Sequence, residues 1–239
     1  MNKAIEVIDL IKDFGKIRAV NGASFNVSEG EIFGLIGPNG AGKTTILRII
    51  STLLQITSGE VKVFDYDVRK DASEVRKLIS YLPEDAGAYK NLTGKGYLTF
   101  IAKFFGNGKE VREIVEKGIE IADLEERIND KVDTYSKGMM RRLLVGRALM
   151  IDPKLAILDE PTSGLDVINA QEVRNIIKNS VKRGTTILLS SHNMLEVEFL
   201  CGNIALINEG KIVEEGKPVE LKEKYNASNI EEVFTEVIR

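Results

Sequence analysis

Cysteine is almost missing from this chain. Its 239 residues hold one, Cys201, so no disulfide can close within it, and the sequence suits a reducing compartment. Histidine is as scarce, with His192 alone. No apolar run approaches the roughly 18 residues that a bilayer-spanning helix needs. The first residues, Met1 to Glu6, show none of the apolar stretch of a signal peptide. Internal repeats, low-complexity tracts and proline-rich linkers are also missing. Positive charge is not in excess: 33 Lys and Arg against 36 Asp and Glu leave a formal net charge of −3. That balance gives no broad field to attract nucleic acid or anionic lipid. If such a chain acts at a membrane, it does so by docking on another chain.

What remains is an ordinary globular composition, 43% hydrophobic and 29% charged. It suffices for one large α/β domain or two small lobes. Periodicity organises it. Residues 5–10, 17–27, 31–36 and 60–64 read as strands, with a turn at Asp13-Phe14-Gly15, and the early ones suggest an antiparallel side sheet. A helical run covers 44–54. From Glu84 to Met150 strand-like alternation gives way to helical spacing, over 96–105, 110–122 and 137–150. The α/β pattern then returns: a strand at 155–158, a helix at 167–182, a strand at 186–189, and a hairpin of 204–208 with 211–214 around Glu209-Gly210. Residues 218–239 read as a short, polar helical tail. The expectation is a single domain: an α/β core from 1–84 and 155–217, a helical subdomain at 85–154, and the tail. Alternating strands and helices imply a largely parallel sheet with phosphate chemistry at the strand C-termini.

Gly37-Pro38-Asn39-Gly40-Ala41-Gly42-Lys43-Thr44 fits G-x-x-x-x-G-K-[ST] in full, between a strand and a helix. Small residues let backbone N–H groups approach a phosphate. Lys43 offers charge to the β- and γ-phosphates, Thr44 a hydroxyl to Mg²⁺. The helix N-terminus, Thr45 included, adds its dipole and free donors. Further on, Leu155-Ala156-Ile157-Leu158-Asp159-Glu160 is an apolar strand ending in two carboxylates, which burial allows only where the strand meets a polar site. Asp159 is placed to hold Mg²⁺ through water. Glu160 faces differently and is placed to orient or deprotonate an attacking water.

With these motifs in order, the chain resembles the ATPase subunit of ATP-binding cassette (ABC) transporters along nearly its whole length. The resemblance implies a P-loop NTPase core of RecA-like type with an antiparallel side sheet and an inserted helical subdomain. The family's signature loop, usually L-S-G-G-Q, corresponds to Tyr135-Ser136-Lys137-Gly138-Met139. Ser136 suits a helix N-cap, and Gly138 leaves room for a phosphate. By resemblance this loop meets the γ-phosphate held by a partner subunit. Lys137 and Met139 depart from the usual glycine and glutamine. Ser163-Gly164-Leu165-Asp166 looks like the D-loop at the dimer interface, and Asp166 also suits an N-cap. His192 stands where the family has its switch histidine, which hydrogen-bonds the γ-phosphate and Glu160. Glu84 occupies the position of a glutamine that meets Mg²⁺. Phe14 matches the aromatic that stacks on adenine.

The implied protein is an ATPase that uses ATP and Mg²⁺. It would work as a head-to-tail dimer, homomeric or with a paralogue, each ATP lying between one chain's P-loop and the other's signature. It would dock a transmembrane permease through the helical insert, with Tyr89 and Leu92 as contacts and Phe100 and Phe104 as packing residues. Its place would be cytoplasmic, peripheral on the inner face of the cell membrane, with no nucleic-acid partner. The Glu84 and Ser-Lys-Gly-Met variants and the tail lean to exporters of the multidrug, sodium-efflux or lipid-extrusion kind. The competing reading is a soluble ABC ATPase acting on nucleic acid or ribosomes. Such relatives usually carry two cassettes or a long coiled coil, and this chain shows neither.

Overall fold

The computed structural model describes residues 2–239. Strands β1 (Lys3–Phe14), β2 (Ile17–Ser28), β4 (Ser58–Val63) and β5 (Tyr66–Asp67) make an antiparallel sheet in the order β2-β1-β4-β5. The second sheet runs β10-β9-β3-β8-β7-β6. It comprises β3 (Ile32–Ile36), β6 (Ile79–Leu82), β7 (Leu155–Asp159), β8 (Thr186–Ser191), β9 (Asn203–Asn208) and β10 (Lys211–Gly216). Every pair in it is parallel except β9 with β10. That hairpin turns at Glu209 and Gly210, both at positive φ (48° and 77°), as a tight two-residue turn matched to strand twist requires.

Both faces of the second sheet are covered, and strand alternation divides the side chains between two cores. Phe33, Leu35, Leu155, Ile157 and Leu188 point to the antiparallel sheet and to Ile46, Leu47, Ile49 and Ile50 of α1 (Lys43–Ile50). Ile32, Ile36, Ala156, Leu158, Ile187 and Leu189 point to the opposite core. There they share one cluster with residues of α3 (Gly94–Ala102), α4 (Lys109–Ala122), α5 (Lys137–Leu149) and α6 (Val167–Lys182). Each such fully buried side chain contributes about 1.5–3 kcal/mol, so a strand of five buried residues is held on both sides.

Several boundaries differ from expectation. β1 continues through Asp13 and Phe14, and the turn is Gly15-Lys16. α1 ends at Ile50, because the Ser51 hydroxyl bonds back to the Leu47 carbonyl (2.6 Å) and Thr52 takes a positive φ of 62°. α3 begins at Gly94, since Thr93 caps it by accepting from Gly96 N–H (2.9 Å). α2 (Ala72–Leu78) and β6 escape sequence reading. Helix passes directly into a four-residue strand there, too short to show a period. Phe100 and Phe104 stack edge-on 5.5 Å apart, but Phe104 is 72% exposed and does not pack inward. Residues 218–239 are two helices, α8 (Pro218–Tyr225) and α9 (Ile230–Val237), and α9 sinks Ile230, Val233 and Phe234 into the helical-side core. A short α7 (Met194–Val197) follows His192. Among the described residues no helix is long and apolar enough to cross a membrane.

Candidate functional site

Register brings the sequence motifs together. Ile36 lies opposite Ser191, Asp159 opposite Ser190, and Leu82 opposite Leu158. The glycine-rich loop, the two carboxylates and His192 therefore leave adjacent parallel strands at the same edge, where α/β sheets bind ligands. The loop is tightly set. A Cβ on Gly37 would lie 2.1 Å from the Ile207 carbonyl oxygen, and one on Gly42 (φ 105°) 2.6 Å from that of Ala19. Glycine is required at both places.

Lys43 is buried and folds back over its own loop. Its Nζ donates to the carbonyls of Gly37 (2.7 Å) and Pro38 (3.1 Å) and stands 3.7 Å from Glu160 Oε1. Burial pushes its pKa below the ordinary lysine value, against the opposing pull of Glu160 and Asp159. Asp159, also buried, accepts from the Ser190 hydroxyl (2.5 Å), the Thr44 hydroxyl (3.3 Å) and the Tyr81 hydroxyl (3.5 Å). Burial first, then the Asp159 charge, pushes the Tyr81 phenol up. The Ser190 oxygen also accepts from Glu160 N–H (3.0 Å), so one serine sets both acids. Glu160 sits at φ 49°, a strained conformation that aims its side chain away from that of Asp159. One carboxylate oxygen meets His192 Nδ1 at 2.8 Å. The other, Oε1, is buried without a hydrogen-bond partner among the described residues.

Lys43, Thr44 and Glu160 border a cleft of about 340 Å³, lined also by Ala19, Asn39, Gly40, Gly42, Thr45 and Glu84. Ala19 carried no sequence signal. Neither did Ser190, although the Ser-Ser pair before His192 is a visible polar ending to an apolar strand; Tyr81 opens the Tyr81-Leu82-Pro83-Glu84 stretch that resembles the family's Q-loop, but nothing in the sequence paired it with Asp159. Phe14 does not line the cleft. It is 47% exposed at the end of β1, with Lys12 Nζ 4.8 Å from its ring centroid.

Ser136, Gly138 and Asp166 are not among the residues lining the Lys43 cleft. Ser136 caps α5 by accepting from Met139 N–H (3.2 Å), and Asp166 caps α6 by accepting from Asn169 N–H (2.9 Å). Hydrogen bonds from Asn169 also lower the Asp166 pKa. The room left by Gly138 is taken by this chain's own Asn169, whose Oδ1 lies 1.9 Å from where a Cβ would be. Lys137 is exposed, and its Nζ covers Gly164. The segments around Ser136–Met139 and Ser163–Asn169 thus pack on each other, while a second cleft of about 210 Å³ is lined by Gly164, Val167 and His192.

Comparison with known proteins agrees with this geometry. The ABC transporter family model matches residues 20–163. The chain is 36% identical over 227 residues to the linearmycin resistance ATP-binding protein of Bacillus subtilis (strain 168), covering 95% of this chain and 73% of that one. It is 38% identical to the bacitracin transport ATP-binding protein of Bacillus licheniformis, covering 90% and 70%. A solved ATP-binding subunit of an ABC transporter superposes with a TM-score of 0.86 at 25% identity, covering 99% of this chain and 100% of that one. A dimeric ATP-binding cassette in a post-hydrolysis state with ADP and Pi gives 0.78 at 26% identity, covering 89% and 98%. The chain belongs to the ABC transporter family. It has that family's P-loop NTPase fold, and it is an ATP-binding, ATP-hydrolysing subunit of such a transporter.

Proposed function

We propose that the cleft at Lys43 takes MgATP and that hydrolysis there drives export through a separate transmembrane permease. The observation that carries this is the shared network of Lys43, Thr44, Asp159, Ser190, Glu160 and His192 at one sheet edge. A phosphate entering the loop would take over the Lys43 ammonium from the Gly37 and Pro38 carbonyls. Backbone N–H groups from Asn39 to Thr45 act as donors, and Phe14, outside the cleft at the end of β1, supplies the aromatic surface for adenine. Thr44 and Asp159 offer the hard oxygen ligands that suit Mg²⁺, with Glu84 reaching it through water. Their 3.3 Å approach in a polar pocket fits that ion. When bound, Mg²⁺ neutralises charge on the β- and γ-oxygens. Glu160 holds the attacking water, and His192 holds Glu160 and the γ-phosphate oxygens.

Ser136, Gly138 and Asp166 complete the site of a second ATPase subunit, the same chain or a paralogue. That none of the three lines the Lys43 cleft supports this, as does the dimeric relative. Residues 85–154 act as the helical subdomain that meets the permease, while 1–84 and 155–217 form the catalytic core. Export is supported by the relatives named for antibiotic resistance and transport, and by one named for Nod factor export. The chain's station is then the inner face of the membrane, on its permease. The test is co-purification of the tagged chain from detergent-solubilised native membranes, with bound chains identified by mass spectrometry. A multi-spanning partner is expected. Recovery only with ribosomes, nucleic acid or soluble chains would refute it.

A further inference from the structure

Arg141 lies on α5, less than one turn beyond Gly138, and is only 7% exposed. Its Nη2 donates to the main-chain carbonyl of Glu84 (3.0 Å), while Nη1 is buried with no hydrogen-bond partner among the described residues. A buried guanidinium with an open donor is costly unless opposing charge faces it. Burial indeed works against its charged form, and Glu84, Asp159 and Glu160 work for it. Two of these acids are already engaged. Asp159 accepts from Ser190, Thr44 and Tyr81, and Glu160 faces Lys43 and His192. Glu84 is exposed and borders the Lys43 cleft.

Around this cleft Glu84, Asp159 and Glu160 are three carboxylates; Lys43 and Arg141 each interact with all three, while Arg48 sits at Tyr81 on the Asp159 side. An anionic nucleotide entering it meets one acid more than an amide at position 84 would present. Arg141 is the cation placed to offset that acid. A second arginine of the same helix, Arg147, donates to the Tyr81 carbonyl (3.3 Å), so α5 grips the main chain on both sides of Leu82-Pro83.

We propose that Arg141 is a positioning residue for the nucleotide site, the counter-charge of Glu84: on MgATP binding one oxygen of the Glu84 carboxylate turns onto the open Nη1, and the other is left for the metal-bound water. This rests on the MgATP reading of the cleft. The pairing also ties the signature helix to the loop that faces the nucleotide, through a charge-assisted bond.

The test is a double-mutant cycle on the purified full chain, with MgATP affinity read by calorimetry and folding by thermal melting. Arg141→Gln is expected to weaken MgATP about tenfold, and adding Glu84→Gln to restore affinity to within about threefold of wild type, a coupling in the range for contacting charges. A defect of packing alone would not be rescued by changing an exposed glutamate. If Arg141→Gln does not fold, the same cycle is run with Arg141→Lys, which keeps the charge and loses Nη1. At least about threefold coupling is then expected. Coupling below about twofold in a folded cycle overturns the pairing while leaving the nucleotide site standing. A wild-type chain that binds no MgATP overturns both.

Discussion

Replacing Glu160 by glutamine changes one atom of the side chain and one unit of charge. Its Oε2 contact to His192 Nδ1 (2.8 Å) leaves Oε1 buried without a hydrogen-bond partner among the described residues, in a loose ion pair 3.7 Å from the Lys43 ammonium. That oxygen, with no hydrogen bond of its own, is the acceptor available to a water beside the phosphate. Glutamine retains an acceptor but cannot take a proton. Losing a positioned general base costs about 10²- to 10⁴-fold in rate, or about 3–5 kcal/mol of transition-state stabilisation. Ground-state binding moves the other way. Unit charges about 6 Å apart at an effective dielectric constant near 20 interact by about 3 kcal/mol. Removing the carboxylate therefore relieves repulsion on the nucleotide, and affinity holds or rises. Two assays check this: steady-state phosphate release, expected to fall at least 100-fold, and light scattering after gel filtration in MgATP, expected to show a persistent dimer. A Glu160→Gln chain that hydrolyses MgATP within tenfold of the wild-type rate would refute Glu160 as base.

Three further changes follow from the geometry. Gly37→Ala puts a methyl 2.1 Å from the Ile207 carbonyl. It should cost about 1–3 kcal/mol in thermal or urea unfolding and abolish MgATP binding, and an unchanged affinity would contradict the close approach. Gly138→Ala collides with Asn169 Oδ1, a side chain able to move. ATPase activity should drop, with Asn169→Ala added to Gly138→Ala recovering part of it, and two simply additive losses would show the collision to be irrelevant. Tyr89 is 55% exposed and stacks edge-on with Phe100 at 5.4 Å. Tyr89→Ala should reduce co-purification with the membrane partner and leave MgATP affinity unchanged, and equal recovery of the partner would remove Tyr89 from that contact.

Much of the fold was legible because it follows from local rules. Ser136 and Asp166 cap their helices through their own side chains, and a cap needs only neighbours three residues away. The helix Val167–Lys182 emerges with the bounds its periodicity implies. The buried strands at 155 and 186 are apolar enough to be recognised at short length. Errors gathered where local signals conflict or vanish. β6 has four residues and no loop before it, and the aromatic spacing of Phe100 and Phe104 fits a core face and an exposed stack equally well.

The sequence by itself determined the chemistry: a glycine-rich loop, a lysine and a hydroxyl after it, two acids closing an apolar strand, and one histidine. Each is a run of adjacent residues, so its spacing already constrains what it can hold. Only the tertiary structure decided that these runs share a site. That depends on β3 lying between β9 and β8 and on Asp159 standing opposite Ser190. Strand order and register arise from burying both faces of one sheet, a balance struck among residues more than a hundred positions apart. The same long-range packing makes Ser190 the hinge between two carboxylates, sets Tyr81 on Asp159, and buries Arg141 against Glu84. No local pattern gives the partners of these side chains, because those come from what the fold brings beside them.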